Sequence, residues 1–411
     1  MYWAERLVQS AVEEDLRKAV ALAPNYADAW ARLGALLERR GDSGEAAKAL
    51  ERAVELNPYD ANAWVDLGLH RELEGDAKKA EECLLKAARN DNTFFPRWVL
   101  ANFYLRHGAG DPFWTAMREA ISRNREDLSA AFELYWRAFD DAREILEKGV
   151  PDTPEINRRY FIFLLRAGRT AAIEGVWKRQ AGRLAPEDVF PALQYVDQLL
   201  ANGREAVSAA AVWNRLCEAG LLRYQPLDPN GGRLLTNGKF AIPPSGRGFD
   251  WKFREIEGIR FDVVNTGGRS SLLIRFSGAH PEVVELVSQV TLVQAHQSHR
   301  LHYSYSTSGL PPDTGLYWTV EDAEARTKLT TSEPLAATEE NWKEQQETFQ
   351  SGAKTRLLRV VFAYRRSPGT TRAQGSVLLS DVELSPASPH SQRGAATGAV
   401  PATDGGLQRP Q

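Results

Sequence analysis

Three histidines, His296, His299 and His302, recur at every third residue, and imidazole nitrogens are common metal ligands. They stand in a run of residues whose composition is typical of a strand. On an extended strand, side chains alternate between faces, so a spacing of three puts neighbouring histidines on opposite sides. The spacing therefore argues against a metal centre here, and it implies no cofactor.

Catalytic motifs are missing from the sequence. A glycosidase needs one pair of carboxylates about 5–9 Å apart across a cleft, and no local pattern among the 54 acidic residues marks such a pair. There is no nucleophile elbow. Gly231-Gly232 and Gly267-Gly268 are typical of hairpin turns, not of phosphate-binding loops. We therefore expect a protein that is not an enzyme.

Aromatic and planar polar side chains are abundant between residues 250 and 366, and together they suit sugar binding. The apolar C–H face of a pyranose stacks on an aromatic ring, and its hydroxyl groups bind planar polar groups. Alternation places Tyr303 and Tyr305 on one face of a strand and His302 on the other. One polar face, with Trp318 or Trp342 as a stacking platform, is predicted to bind polysaccharide: Arg275, His302, Trp318, Trp342, Arg359 and Arg365.

Composition narrows the classes of partner. The 411 residues carry a formal charge of -3, which lacks the basic excess of a nucleic-acid-binding protein. Cys83 and Cys217 lie in helical patterns and form neither a disulfide framework nor a zinc spacing. No apolar run reaches the roughly 20 residues of a membrane span. The N-terminal residues are acidic and amphipathic, unlike an export signal, so the chain as written is expected to be cytoplasmic.

An internal period organises the first part of the chain. Trp30, Trp64 and Trp98 are 34 residues apart. The other recurring positions are Ala19, Ala53 and Ala87, Gly34 and Gly68, Gly41-Asp42 and Gly75-Asp76, Ala46 and Ala80, and Pro24 and Pro58. This arrangement resembles the tetratricopeptide repeat, in which two helices pack through small residues and proline closes the unit. The third copy is looser, with Asn102 and Trp114 where Gly and Ala would stand.

The resemblance implies an α-solenoid that binds a protein or peptide in a groove lined by the first helix of each repeat. The lysine-asparagine clamp that some subfamilies use for a C-terminal carboxylate is replaced by Ala31, Val65, Ala35 and Leu69, so a chaperone-tail receptor is not expected. The groove residues predicted by register are Asp28, Glu38, Asn62, Val65, Glu72, Phe103 and Arg106.

The repeat signal extends beyond the clear copies. Residues 1–125 are predicted to form the repeats, and 126–221 to form degenerate hairpins in which Leu-Leu-x-x-Gly-Arg recurs at 164–169 and 199–204. Counting back one period places the first anchor before residue 1. Met1-Tyr2-Trp3 is therefore either an improvised cap, or the natural chain extends upstream, which would allow a periplasmic or envelope-associated location.

Near residue 222 the hydrophobic period changes from 3.6 to 2 across a turn-rich linker, 222–232. Short strand-like runs follow over 233–386, with no helix between them, which favours an antiparallel β-sandwich. We expect ten strands at 233–240, 251–256, 259–265, 270–277, 284–293, 299–307, 316–322, 341–349, 355–365 and 375–384.

The order of motifs in this region resembles jelly-roll carbohydrate-binding modules. It opens with Asn237-Gly238-Lys239-Phe240 and ends with Ser380-Asp381-Val382. The resemblance implies polysaccharide binding and a structural calcium ion held by Asp381, although Ala241 stands where a second acidic ligand would be expected. Together with upstream repeats, the module resembles proteins of bacterial exopolysaccharide and cell-envelope systems.

Two functional hypotheses follow. The first is a non-catalytic adaptor that holds a protein in its groove and a polysaccharide on its sandwich. The second is a pure protein-interaction scaffold whose sandwich does not bind sugar. An exposed aromatic side chain beside the polar face would favour the first. Residues 387–411, rich in Pro, Gly, Ala and Ser, are expected to be a disordered tail.

Overall fold

The computed structural model describes residues 2–9, 12–202 and 205–387. The expectations for Met1 and for 388–411 of the tail fall outside these residues. The chain separates into two compact units, with the division between Arg183 and Leu184. Helices come first and antiparallel strands follow, which confirms the predicted order of an α-solenoid and a β-sandwich. No described helix is long and apolar enough to cross a membrane.

Fourteen α-helices occur within the described residues, together with one π-helical turn, Ile145–Gly149, and one 3-10 turn, Pro186–Asp188. The helices are α1 Tyr2–Val8, α2 Glu13–Leu22, α3 Ala27–Arg40, α4 Ser43–Leu56, α5 Ala61–Leu73, α6 Ala77–Asn90, α7 Phe94–Arg106, α8 Gly110–Arg123, α9 Ser129–Ala138, α10 Ala142–Glu144, α11 Pro154–Arg166, α12 Thr170–Gln180, α13 Val189–Ala201 and α14 Ala206–Glu218.

The recurring residues perform the same task in successive repeats. A Cβ atom at Gly34 would lie 2.6 Å from Leu50 Cγ, and one at Gly68 would lie 2.8 Å from Leu84 Cγ, so both glycines let the second helix approach the first. The indole of Trp64 donates a hydrogen bond to the carbonyl of Pro58 at 2.8 Å, and Trp30 does the same to the proline before it. The period therefore encodes close packing of each hairpin.

The looser third repeat replaces two small residues by larger ones, Asn102 and Trp114. Asn102 donates its side-chain amide to the carbonyl of Trp98 at 2.8 Å. Trp114 packs against Phe139 at 4.4 Å and Tyr135 at 5.4 Å between ring centroids. In this repeat a cluster of aromatic rings therefore surrounds the position that a buried alanine holds in the earlier repeats.

Ten strands form two five-stranded antiparallel sheets within the described residues. The strands are β1 Lys252–Phe253, β2 Ile259–Thr266, β3 Arg269–Ser277, β4 Val283–Leu292, β5 Ser298–Ser308, β6 Leu316–Asp322, β7 Thr327–Thr331, β8 Lys343–Gln350, β9 Leu357–Arg365 and β10 Gln374–Pro386. Sheet A has the order β1-β4-β9-β6-β7, and sheet B has the order β2-β3-β10-β5-β8.

One predicted strand is wrong and another was missed. Residues 233–240 form no strand, because Asn237 and Phe240 adopt positive φ angles of 50° and 49°, which break an extended backbone. Their alternation reflects burial, since Leu234 and Phe240 insert into the core of the sandwich without pairing. Conversely, β7 was missed because Thr327–Thr331 buries no residue fully.

The core of the sandwich is aromatic. Trp318 is 1% exposed, and its ring centroid lies 4.8 Å from that of Phe362 and 5.5 Å from that of Tyr303. Trp251 packs against it at 6.1 Å. The prediction of Trp318 as a stacking platform is therefore wrong, because a ring enclosed between two sheets cannot meet a ligand from solvent.

The hairpin α13–α14 belongs to the same compact unit as the two sheets, whereas the sequence grouped it with the preceding helices. The buried ring of Trp213 on α14 stacks on Tyr224 at 5.4 Å and 13°. Asp197 on α13 accepts hydrogen bonds from Lys252 at 2.9 Å and from the backbone of Gly248 at 2.9 Å. The helices α13 and α14 therefore pack against the chain that leads into the first strand of the sandwich.

Two fully buried histidines make the stability of the sandwich depend on pH. Burial lowers the pKa of His280, with the charge of Arg372 acting in the same direction, and burial also lowers the pKa of His299 against a smaller opposing effect of the Gln294 backbone. The unfolded chain then binds more protons below about pH 6.5, so stability is present above that pH and is lost as pH falls. We expect each histidine to lower the free energy of unfolding by up to about 1.4 kcal/mol for each unit that the pH falls.

The measurement is denaturant unfolding of the full chain between pH 7.5 and 5, with hydrogen exchange of the strand amides as the readout. The double variant His280→Leu and His299→Leu serves as the control, because it cannot bind these protons. An equal pH slope in the variant and the natural chain would assign the effect to other groups.

Candidate functional site

The residues predicted for the groove lie on the first helices α3, α5 and α7. Among them, Val65 and Phe103 are buried, at 2% and 3% exposure, so their side chains offer almost no surface to a partner. Asn62 is exposed. Asp28 pairs with Arg32, one turn further along the same helix, at 3.1 Å. Of the residues predicted for the groove, Asn62 is therefore open to a partner, whereas Val65 and Phe103 are enclosed.

Glu38, Glu72 and Arg106 form an electrostatic ladder between neighbouring first helices. The Nδ1 atom of His70 lies 2.5 Å from a carboxylate oxygen of Glu38. Arg106 donates two hydrogen bonds to Glu72, at 2.8 and 2.7 Å, and His107 Nε2 lies 3.2 Å from the same carboxylate. These hydrogen bonds, first that of Arg106, lower the pKa of Glu72. The three predicted residues thus connect successive repeats.

The sequence analysis did not single out Asp66, which lies on α5 with residues predicted for the groove. Burial, followed by the charge of Asp60, raises the pKa of Asp66 to about 6. It lies four residues after Asn62 and seven before Leu73, so the three share a helix face, and Leu73 is 77% exposed. A carboxylate at this spacing on the groove helix was the signal that could have found it.

The structure divides the predicted polysaccharide surface between two sheets. Arg275 on β3 and His302 on β5 belong to sheet B, whereas Arg359 and Arg365 on β9 belong to sheet A. The prediction that these four line one face is therefore wrong. Alternation along a strand shows which side chains share its face, but it does not show which strands share a sheet.

The predicted arginines and the histidine already have partners. Arg359 forms ion pairs with Glu285 and with Glu321, the latter at 2.8 Å. Arg275 pairs with Asp262, and the guanidinium of Arg365 lies over the ring of Tyr317 at 5.7 Å. His302 Nε2 is 3.7 Å from a carboxylate oxygen of Glu344.

Trp342 is the aromatic residue that remains accessible among the predicted site residues. It is 37% exposed, and the guanidinium of Arg269 lies 3.9 Å from its ring centroid. Arg269 and Arg275 share a face of β3, but they lie six positions apart, about 20 Å along the strand. The structure therefore places Trp342 on sheet B, at the end of β3 opposite Arg275.

The residues around Asp381 do not fit the calcium ion implied by the resemblance. Asp381 lies at a β-bulge of β10, with φ of 50°, and its carboxylate pairs with the guanidinium of Arg269. Ala241 offers no side-chain oxygen. Among the described residues, no group of three or more His, Cys, Asp or Glu side chains could hold a metal ion. An arginine charge therefore takes the position that a cation would need.

A large cavity that the sequence did not indicate lies beside sheet A. Its volume is about 1280 Å³. It is bounded by the C-terminal end of α13, by the segment Lys252–Glu257, by β4 and by the turn between β6 and β7. Both apolar and charged side chains reach it, including the half-exposed Phe253.

Comparison with known proteins identifies the repeat. The family model of the tetratricopeptide repeat matches residues 27–70, which contain α3, α4 and most of α5. No curated protein matches the chain. Residues 27–70 are thus similar to the tetratricopeptide repeat, in agreement with the pattern of Trp, Gly and Ala.

Several solved structures resemble parts of the chain. The structure of MamA is 27% identical over 27% of this chain and 66% of that chain, with a TM-score of 0.26, so this chain spans just under two thirds of its length. A thermophilic TPR protein of Thermus thermophilus is 27% identical over 31% of this chain and 70% of its own, with a TM-score of 0.28. The CBM4 structure is 13% identical over 37% of this chain and 99% of its own, with a TM-score of 0.29.

Proposed function

We propose that this protein is a non-catalytic adaptor that binds a protein partner through the groove of its tetratricopeptide repeats. The observation that carries the proposal is the repeat itself, recognised over residues 27–70 and followed by a further pair of helices, α7 and α8. The combination of repeats and sandwich favours a role in bacterial envelope or exopolysaccharide processes.

The groove offers what an extended peptide needs. Leu73 presents an apolar side chain at 77% exposure, and Asn62 presents an amide that can bind a peptide backbone. The ladder through Glu72 and Arg106 keeps the helices in fixed positions, so little conformational entropy is lost when a peptide binds.

We expect the double variant Asn62→Ala and Leu73→Glu to weaken peptide binding at least about tenfold, because it removes an amide and places a charge on an apolar contact. The measurement is the affinity, by calorimetry, of peptides selected from a displayed library of random dodecapeptides on the full chain. Tyr59→Ala is the matched control, since Tyr59 is 82% exposed but precedes α5. Equal losses in both variants, or no selected peptide that depends on the groove, would reject the proposal.

A second candidate function is polysaccharide binding by sheet B. An exposed aromatic residue, Trp342, packs against Arg269 of sheet B, the sheet that also carries Arg275 and His302. Its indole face is the group that a pyranose ring would stack on. The alternative is a scaffold whose sandwich does not bind sugar.

Trp342→Ala is expected to weaken binding to soluble and cell-envelope polysaccharides at least about tenfold, as measured by affinity electrophoresis of the full chain. Arg365→Ala, on the other sheet, should leave binding unchanged. If no polysaccharide binds, or if Arg365→Ala has the larger effect, sheet B is not the sugar-binding surface.

A further inference from the structure

A salt bridge and an aromatic contact meet at one side chain of sheet B, Arg269. Its guanidinium pairs with the carboxylate of Asp381 and lies 3.9 Å from the ring centroid of Trp342. Arg269 begins β3, Asp381 lies at the bulge of β10, and Trp342 directly precedes β8. One arginine therefore links three segments of the sandwich that are distant in sequence.

The contact between Arg269 and Trp342 crosses the width of the sheet. The strands β10 and β5 lie between β3 and β8. Neighbouring strands are about 4.8 Å apart, so roughly 14 Å separates the two backbones. Leu272 and Ile274 of β3 belong to the core, so Arg269 points away from it by alternation. The two side chains therefore meet above β10 and β5, on the outer face of sheet B.

The burial of two serines supports this position. Ser304 on β5 alternates with the core residue Tyr305, and Ser380 on β10 is its direct partner, so both serines point to the outer face. They are nevertheless enclosed, with exposures of 0% and 1%. A cover formed by Trp342 and Arg269 accounts for this burial.

The turn before Trp342 is held in an uncommon backbone conformation. Glu339 and Glu340 have φ angles of 49° and 70°, a region that residues other than glycine rarely adopt. The backbone N–H of Glu340 donates to the carbonyl of Thr307 at 2.7 Å, and the hydroxyl of Ser308 donates to the Glu340 carboxylate at 2.9 Å. Such conformations persist where the surrounding structure enforces them, and they are concentrated at functional sites. The turn thus fixes where the side chain of Trp342 begins.

The guanidinium of Arg269 covers one face of the indole. Trp342 is 37% exposed although this cation lies over its ring, so the open surface belongs to the other face and the ring edge. The apolar face of a sugar ring stacks on such a surface. A ring that is already held in place also loses little conformational entropy when a ligand binds.

The charges near the ring favour a neutral ligand. The positive charge of Arg269 is paired with Asp381. Residues 339–345, which surround Trp342 in the sequence, contain three glutamates and one lysine. A sugar that carries a carboxylate would meet like charge here, and like charges across an interface oppose binding. A neutral sugar ring avoids this repulsion.

We propose that Arg269 is a positioning residue for Trp342, and that the indole it holds is a platform for a neutral sugar ring. Arg269 fixes the indole from behind, whereas Asp381 neutralises the guanidinium and keeps it in place. The proposal rests on polysaccharide binding by sheet B, the second function proposed above. It adds to that function the residue that positions the ring and the class of sugar that the ring accepts.

The experiment is affinity electrophoresis of the full chain in three neutral polysaccharides, galactomannan, soluble starch and hydroxyethyl cellulose, and in one acidic polysaccharide, alginate. We expect Arg269→Ala to weaken binding to the best neutral polysaccharide about three- to tenfold, because the freed indole must be ordered when the sugar binds. Arg269→Lys should lose as much affinity but keep the thermal stability of the natural chain, since lysine retains the charge but not the planar group. Arg260→Ala is the matched control, an exposed arginine on β2 of the same sheet.

Two further measurements show whether Arg269 acts through Trp342. In the Trp342→Ala background, Arg269→Ala should change the remaining affinity less than about twofold. The indole N–H resonance of Trp342, identified by its absence in Trp342→Ala, should shift and broaden in Arg269→Ala without any sugar present. This second readout reports the position of the ring directly and does not depend on a ligand.

Four results would overturn the proposal. They are full affinity in Arg269→Ala, additive losses in the double variant, an unchanged Trp342 resonance in Arg269→Ala, and tighter binding of alginate than of every neutral polysaccharide. If the natural chain binds none of the four polysaccharides, sugar binding by sheet B is itself rejected. If the chain binds them and Arg269→Ala binds equally well, only the positioning role is rejected, so the two failures are distinguishable.

Discussion

Replacing Trp213 by alanine is expected to lower the free energy of unfolding of the β-sandwich unit by about 3–5 kcal/mol. Trp213 is fully buried although it lies on a helix, α14, and it packs against Tyr224 and against Phe249 at 5.9 Å. Gly248, with φ of 54°, lies so close that a Cβ atom there would be 2.8 Å from the indole. Loss of the ring therefore leaves a cavity where helix and irregular chain meet.

The effect of Trp213→Ala is measured by denaturant unfolding of the full chain, with hydrogen exchange of the strand amides as the readout. Trp342→Ala provides a matched control, because it removes the same side chain from a half-exposed position, at an expected cost of about 1 kcal/mol. If the strand amides were destabilised equally in both variants, the hairpin α13–α14 would not support the sheets. A fragment that begins at residue 226 should likewise be less stable than one that begins at residue 184.

The second large effect is expected at Gly68, where Gly68→Leu should destabilise the repeats by about 3 kcal/mol or more. A Cβ atom there would lie 2.8 Å from two side-chain atoms of Leu84 and 3.3 Å from the carbonyl oxygen of Ala80. Leu84 is fully buried and has no space to move into. The two helices of the hairpin would have to separate.

Gly44→Ala is the control for Gly68. Gly44 also lies in a helix, but a Cβ atom at this position would have no heavy atom of a neighbouring residue within 4 Å, so alanine there should stabilise the repeats by up to about 1 kcal/mol. Circular dichroism during thermal unfolding measures both changes. In a double-mutant cycle, Leu84→Ala should partly rescue Gly68→Ala, and strictly additive effects would contradict the packing explanation.

The sequence predicts those parts of the fold in which the same residue type makes the same contact in every repeat. Trp64 and Gly68 recur because each repeat needs the same hydrogen bond and the same close approach, so their period identifies the hairpin. The positive φ angles at Asn237 and Phe240 produce no recurring pattern in the sequence. The alternation of buried residues there was therefore mistaken for a strand. Propensity and burial were right, but pairing depends on the rest of the sheet.

The candidate sites were harder to predict, because they depend on contacts between segments distant in sequence. Alternation separated Arg359 from Phe362 within one strand, but it could not show that Arg275 lies in a different sheet from Arg359. It also could not show that Trp318 points between the sheets, whereas Trp342 lies at the surface. The cavity beside sheet A could not be predicted either, because its lining comes from segments far apart in the sequence.

The ion pair between Glu72 and Arg106 makes the link between the second and third repeats respond to dissolved salt. In a linear array, each repeat contacts only its neighbours, so mechanical coupling along the row passes through such links. Counterions screen partly exposed pairs over about 10 Å at roughly 0.1 M ionic strength. Dilute buffer should therefore strengthen this link between the two hairpins, and concentrated salt should weaken it.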